Sequence, residues 1–136
     1  MTDRELVDLA FSMLERSYAP YSGFPVGAAL ACEDGAVFTG CNVENAAFGS
    51  SLCAERTALV KAVSEGRREG FTRLAVAGNS EDYCWPCGAC RQMLWEFAPN
   101  LTLLVARGDR SFVSLPLSQL FPHGFGPSSL TKGEKP

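Results

Sequence analysis

The 136-residue sequence has no apolar run long enough to cross a bilayer, no internal repeat and no stretch that reads as a linker. These absences exclude a membrane-spanning protein, a solenoid and a two-domain chain. The first residues carry Asp3, Arg4, Glu5 and Asp8 where a secretion signal is apolar, so the expected location is cytoplasmic. An excess of basic residues is also missing. Lys and Arg number 12 against 15 Asp and Glu, a formal net charge of −3, and such a surface neutralises a phosphate backbone poorly. The expectation is no nucleic-acid polymer as partner and no membrane. Histidine is nearly absent. The single one, His123, lies in the C-terminal segment far from other candidate ligands and reads as a surface or interface residue, not a metal ligand.

Six cysteines stand against these absences. Without a secretion signal they favour metal binding in a reducing compartment, with a disulfide framework as the alternative. Cys53-Ala54-Glu55 and Pro86-Cys87-Gly88-Ala89-Cys90 supply three soft ligands with a carboxylate beside them. A structural zinc site closes its tetrahedron with four protein ligands, whereas a catalytic one stops at three and leaves one position to water. Glu55 sits where an acid/base for that water belongs. Cys87 and Cys90 are three apart on one helical face and Cys53 precedes another helix, so two positive helix ends converge on one point. Three thiolates and Zn²⁺ sum to −1, which weakens the metal as a Lewis acid, and Arg56 and Arg91 are the side chains available to draw charge off the sulfurs. Two rival readings stay open. Cys84 gives a C-x-x-C with Cys87, which allows a closed four-cysteine structural site or a redox pair. Cys32 and Cys41 fall in apolar runs and read as small core residues.

Thr2 and Glu5 form a capping box ahead of an amphipathic helix running to Ser17. Val26 to Cys32 and Val37 to Val43 flank Glu33-Asp34-Gly35 as a hairpin. A helix from Ala54 to Ser64 ends at Gly66, a buried strand spans Leu74 to Ala77, and Pro86 opens a helix from Gly88 to Phe97. Strands over Leu101 to Ala106 and Phe112 to Leu115 and a short helix from Leu117 to Phe121 follow. Alternating strands and helices predict an α/β sandwich around one mixed sheet. One domain over residues 1–127 is expected, with a polar frayed tail over 128–136.

The ordered stretches Tyr21-Ser22-Gly23-Phe24-Pro25-Val26-Gly27-Ala28-Ala29-Leu30, Asn42-Val43-Glu44-Asn45-Ala46, Cys53-Ala54-Glu55-Arg56, Pro86-Cys87-Gly88-Ala89-Cys90-Arg91-Gln92 and Phe121-Pro122-His123-Gly124-Phe125-Gly126-Pro127 resemble the cytidine deaminases, in their short, homotetrameric, three-cysteine branch. The resemblance implies an α/β/α sandwich around a five-stranded mixed sheet and one Zn²⁺ per subunit on Cys53, Cys87 and Cys90. It also implies hydrolytic deamination of cytidine and deoxycytidine, with Glu55 shuttling protons. Arg56 is then the residue that hydrogen-bonds a ligand sulfur. Ala54 holds the pyrimidine through its backbone, and Phe24 stacks on it or borders its pocket. Asn42 and Glu44 point the same way from a strand end and would read the ribose, although alone such a pair is as easily a solvated strand end. Ala46 and Phe48 belong to the implied substrate site. Phe48 stands where the family often has Tyr, so a hydroxyl is missing. Phe125 would reach across a subunit interface into a neighbour's site. A modified cytosine nucleoside as substrate, and a non-catalytic zinc-stabilised interaction domain, are the alternatives. The second leaves Glu55 and Asn42 without work.

Overall fold

The computed structural model describes residues 1–130. The expected capping box closes helix α1 (Asp3–Ser12): the Glu5 N–H donates to Thr2 Oγ1 at 3.0 Å and the Thr2 N–H to Glu5 Oε1 at 2.8 Å. The helix stops five residues earlier than its apolar spacing suggests. Leu14–Arg16 tighten into a 3₁₀ turn, because the chain must swing round for the Tyr18 N–H to reach the Asn42 carbonyl at 3.0 Å and bridge to Val43.

Strands β1 (Val26–Cys32) and β2 (Val37–Cys41) form the hairpin. Gly35 takes φ 92° at the turn, a value side chains resist. β2 is shorter than its apolar run: Val43 leaves the sheet and bridges Tyr18 on one side and Leu52 on the other. The chain continues through α2 (Ala54–Ser64), β3 (Phe71–Gly78), α3 (Gly88–Phe97), β4 (Thr102–Ala106), β5 (Phe112–Pro116), α4 (Leu117–Leu120) and α5 (Pro127–Leu130). The sheet order is β2-β1-β3-β4-β5, with β3 and β4 parallel and every other pair antiparallel. This is the mixed five-stranded sheet the sequence implied. Pro127–Leu130 form a helical turn, and the rest of the tail expected at 128–136 lies outside the described residues.

Alternation along the strands gives the sheet two unlike faces. Leu30, Leu74, Val76, Leu103 and Val105 face one way and pack with Ala58, Leu59 and Ala62 of α2 and Leu94 of α3. Ala29, Ala31, Ala75, Ala77, Leu104 and Ala106 face the other way, against Leu6, Val7, Ala10 and Phe11 of α1. The second face is almost all alanine, so a single helix lies close to the sheet. A Cβ on Gly27 would stand 2.0 Å from the Ala10 carbonyl oxygen. The larger leucines and valines hold α2 and α3 at a distance set by side chains, and the fully buried ones stabilise the layer by about 1.5–3 kcal/mol each.

Candidate metal centre and its cavity

Cys53 and Cys87 are the N-cap residues of α2 and α3, and Cys90 lies one turn into α3. Neither cysteine at a cap position makes a capping hydrogen bond through its side chain, so both sulfurs are left to face each other. Cys53 Sγ is 3.7 Å from Cys87 Sγ, which is 3.4 Å from Cys90 Sγ, and all three lie within 4.8 Å of one another. Four ligands around a tetrahedral zinc with bonds of about 2.3 Å stand about 3.8 Å apart, so the trio fits that ion. Among the described residues this is the one such cluster. Cys84 is not part of it, which removes the closed four-cysteine reading. Cys32 and Cys41 are buried free thiols.

Two clamps bring the helix ends together. On the α2 side, Gly40 of β2 lets the helix press against the strand: a Cβ there would sit 2.4 Å from the Ala54 carbonyl oxygen and 2.6 Å from the Ala58 nitrogen. The Thr57 hydroxyl then bonds the carbonyls of Cys41 at 2.9 Å and Cys53 at 3.1 Å. On the α3 side, Arg91 Nε donates to the Pro86 carbonyl at 2.9 Å and its Nη1 to the Leu120 carbonyl at 3.0 Å. Arg91 therefore braces the loop, and of the two arginines only Arg56 reaches a sulfur. Its Nη2 lies 3.5 Å from Cys53 Sγ and 3.1 Å from the Ser51 carbonyl. Arg56 Nε is buried without a hydrogen-bond partner, a cost that nearby negative sulfur offsets.

Hydrogen bonding from Cys90 and from Arg56 holds the Cys53 thiol down to about 5, against the opposing effect of burial. Cys90, on the other side of that bond and also buried, is pushed up beyond the ordinary thiol range. Charge is thus favoured on one sulfur and opposed on its neighbour, a cluster that must give up protons to take a soft cation. Glu55, in the first turn of α2, is only 4% exposed. Burial raises its carboxyl from the usual carboxylate range to about 7, where it both takes and gives a proton near neutrality.

A cavity of about 170 Å³ opens onto the cluster, lined by Phe24, Val26, Asn42, Cys53, Ala54, Glu55, Cys84, Trp85 and Cys87. The sequence reading named six of these for the site and Cys84 as a rival ligand or redox partner; to Val26 and Trp85 it gave no role there. Trp85 carried a signal, a large aromatic directly before Pro86 and the metal helix. Cys84 is the spare half of the C-x-x-C, its thiol pushed up to about 12 by burial. A second hollow of about 330 Å³ is lined by Tyr21, Ser22, Glu44, Phe48 and Ser51. Glu44 therefore lies on this hollow and Asn42 on the cavity. Neither is a loose strand-end group. Glu44 Oε1 accepts the N–H groups of Tyr21 and Ser22, each at 3.0 Å, and Asn42 holds Phe24 and Val26 through their backbones, each at 2.9 Å.

Ala46 is exposed and lines neither hollow. Phe48 packs edge-on against Tyr21 at 5.2 Å yet is 69% exposed, and Phe125 is 56% exposed, its carbonyl accepting from Gln92 Nε2 at 2.8 Å. Neither ring lines the cavity within one chain. His123 is exposed with φ 56°.

The profile of the cytidine and deoxycytidylate deaminase zinc-binding region matches residues 1–105. The chain belongs to this family. It is 45% identical over 120 residues to a cytidine deaminase of Sporosarcina psychrophila, with 86% of each chain covered. To that of Halalkalibacterium halodurans it is 44% identical over 127 residues, covering 90% of this chain and 94% of the relative. The crystal structure of cytidine deaminase from Burkholderia pseudomallei superposes with a TM-score of 0.89 at 43% identity, over 92% of this chain and all of that one. Zinc is the metal for which this family's cysteine cluster is arranged, and the sulfur spacing agrees with it. No helix among the described residues is long and apolar enough to cross a membrane.

Proposed function

We propose that this chain hydrolyses cytidine and 2′-deoxycytidine to uridine and 2′-deoxyuridine with release of ammonia, in pyrimidine salvage. The observation that carries the reading is the buried Glu55 carboxyl two residues from Cys53, in the same cavity as the cysteine cluster. Cys53, Cys87 and Cys90 hold zinc, which when bound supplies Lewis-acid activation of a water molecule. The rest of the chemistry belongs to the chain. Glu55 takes a proton from the water whose oxygen adds to C4, delivers it to N3, and carries another to the exocyclic nitrogen as the C4–N4 bond breaks and ammonia leaves. Burial suits the side chain to this traffic, because a carboxyl titrating near 7 is a competent acid and a competent base at the same pH.

The Ala54 backbone and the Phe24 ring bound the pyrimidine, and Arg56 stabilises the Cys53 thiolate. Asn42 and Glu44 bind the sugar, and Ala46 and Phe48 belong to the same substrate surface, assembled with neighbouring chains. Phe125 closes a neighbour's site. Support for a homotetramer comes from the aromatics Tyr21, Phe24, Phe48, Trp85 and Phe125, all exposed on one chain, which is more large apolar surface than a monomer usually leaves in water. The free thiols suit a reducing compartment, and we assign the cytosol.

The test is uridine and ammonia release from cytidine by purified protein, alongside metal analysis. One zinc per chain with stoichiometric products is expected. Zinc-loaded protein that leaves cytidine intact would refute the reading.

A further inference from the structure

Asn42 and Glu44 each hold the Tyr21 to Val26 loop, and counting their hydrogen bonds shows what they have left for a ligand. The Asn42 amide oxygen has two lone pairs. The Val26 N–H takes one at 2.9 Å and the Ser17 hydroxyl takes the other. Of the two amide N–H donors, one goes to the Phe24 carbonyl at 2.9 Å, so one remains. Glu44 Oε1 is filled by two backbone N–H groups, and Oε2 accepts the Ser22 hydroxyl, so one lone pair remains there. Asn42 thus offers a donor and nothing else, and Glu44 an acceptor and nothing else. A hydroxyl suits either one, since it can accept from the amide or donate to the carboxylate.

We infer that Ser17 is a positioning residue for substrate binding, one that adds a third anchor to the Asn42 side chain, whose amide polarity the Val26 N–H and the Phe24 carbonyl set. The inference rests on the reading of the chain as a nucleoside deaminase, in which that hydroxyl is one of the sugar's. Ser17 does not line the cavity and acts through Asn42. Its place is rigid. Its N–H donates to the Leu14 carbonyl at 3.2 Å, and the next residue is locked across to the same strand end, the Tyr18 N–H to the Asn42 carbonyl at 3.0 Å and the Glu44 N–H to the Tyr18 carbonyl at 2.9 Å. Without the hydroxyl, Asn42 keeps two of its three side-chain bonds and a buried oxygen lone pair goes unmatched, so the remaining amide N–H is held less firmly toward the cavity.

Steady-state kinetics on the zinc-loaded protein test this, with cytidine and its 2′-deoxy, 3′-deoxy and 5′-deoxy analogues as substrates. Ser17→Ala is expected to raise KM for cytidine about five- to tenfold with kcat within twofold of wild type. The decisive expectation is a coupling. On the one analogue that lacks the hydroxyl read by Asn42, Ser17→Ala should have no further effect, while the other two analogues show the same rise as cytidine. Ser17→Thr keeps the hydroxyl and should restore the wild-type KM. An equal loss on cytidine and all three analogues would mean a structural role only and overturn the inference, as would an unchanged KM. If Ser17→Ala lowers the melting temperature enough to disturb the kinetics, Ser17→Cys, which keeps the bulk and donates weakly, is held to the same outcomes. A wild-type protein that does not turn over cytidine overturns the functional reading instead, and does so before any substitution is made.

Discussion

The two ends of the cavity are built on different principles. The metal end is backbone architecture: two helix N-termini, a glycine that lets β2 touch α2, and side chains such as Thr57 and Arg91 that bind carbonyls. The mouth is held by side chains. Phe24 sits on a loop whose shape depends on Asn42, Glu44 and Ser22, and the rings of Phe48 and Phe125 are left in solvent by a single chain. The contrast teaches that one chain brings the sulfur cluster and the Glu55 carboxyl together, while enclosure of the substrate, in the proposed tetramer, takes more than one.

The contrast is broken most severely at the metal. Cys87→Ser is expected to abolish both stoichiometric zinc and activity, whereas Cys84→Ser, outside the sulfur cluster, should keep a full equivalent of metal. Equal zinc loss from the two variants, measured by metal analysis after gel filtration, would return Cys84 to the ligand set. Next in size is Glu55→Gln. The variant should fold and hold zinc, yet lose about 10²–10⁴-fold or more in kcat, because an amide carries no proton between water and N3. Turnover within tenfold of wild type would remove Glu55 from the proton path.

Gly40→Ala tests whether the α2 clamp is what aims Cys53. The added Cβ meets backbone atoms, which cannot swing aside, so a loss of about 1–3 kcal/mol in unfolding free energy and weaker zinc retention are expected together. A stability loss with normal metal affinity would separate the clamp from the site. Phe125→Ala addresses the mouth, and an activity loss of about tenfold is expected from an aromatic contact worth about 1.5 kcal/mol. Mixing it with Glu55→Gln chains under conditions of subunit exchange should raise activity above that of either variant. Light scattering that reports a fully active monomer would end the shared-mouth account.

The metal end was the part most legible in the sequence, and for a physical reason. Cys53, Glu55, Cys87 and Cys90 act through spacings along two helices, and helix geometry converts spacing directly into position. The capping box at Thr2 and the turn at Gly35 were legible for the same reason, being local. What the sequence misjudged was set by partners distant in the chain. α1 ends at Ser12 and not Ser17, and β2 at Cys41 and not Val43, because Tyr18 and Val43 pair with each other outside the sheet. Apolar spacing carries no information about that bridge. Trp85 and Val26 join the cavity only once the sheet brings the two hairpin ends beside α3, and Ser17 gains a partner twenty-five positions away. By position alone Arg91 looked equivalent to Arg56, each following a cysteine; the resemblance favoured Arg56, and the path of the Pro86 loop gives the physical reason.

The tethering of the Tyr21 to Val26 loop has a thermodynamic consequence. Four of that loop's backbone groups, the N–H groups of Tyr21, Ser22 and Val26 and the carbonyl of Phe24, are bound by two side chains anchored at the end of β2. Freezing a residue's backbone costs about 1–2 kcal/mol of conformational entropy. Here that loss falls on folding, once, and not on each encounter with a ligand. The aromatic wall of the cavity therefore stands in place before anything arrives, and association is freed from the ordering penalty that a mobile loop would impose on every turnover.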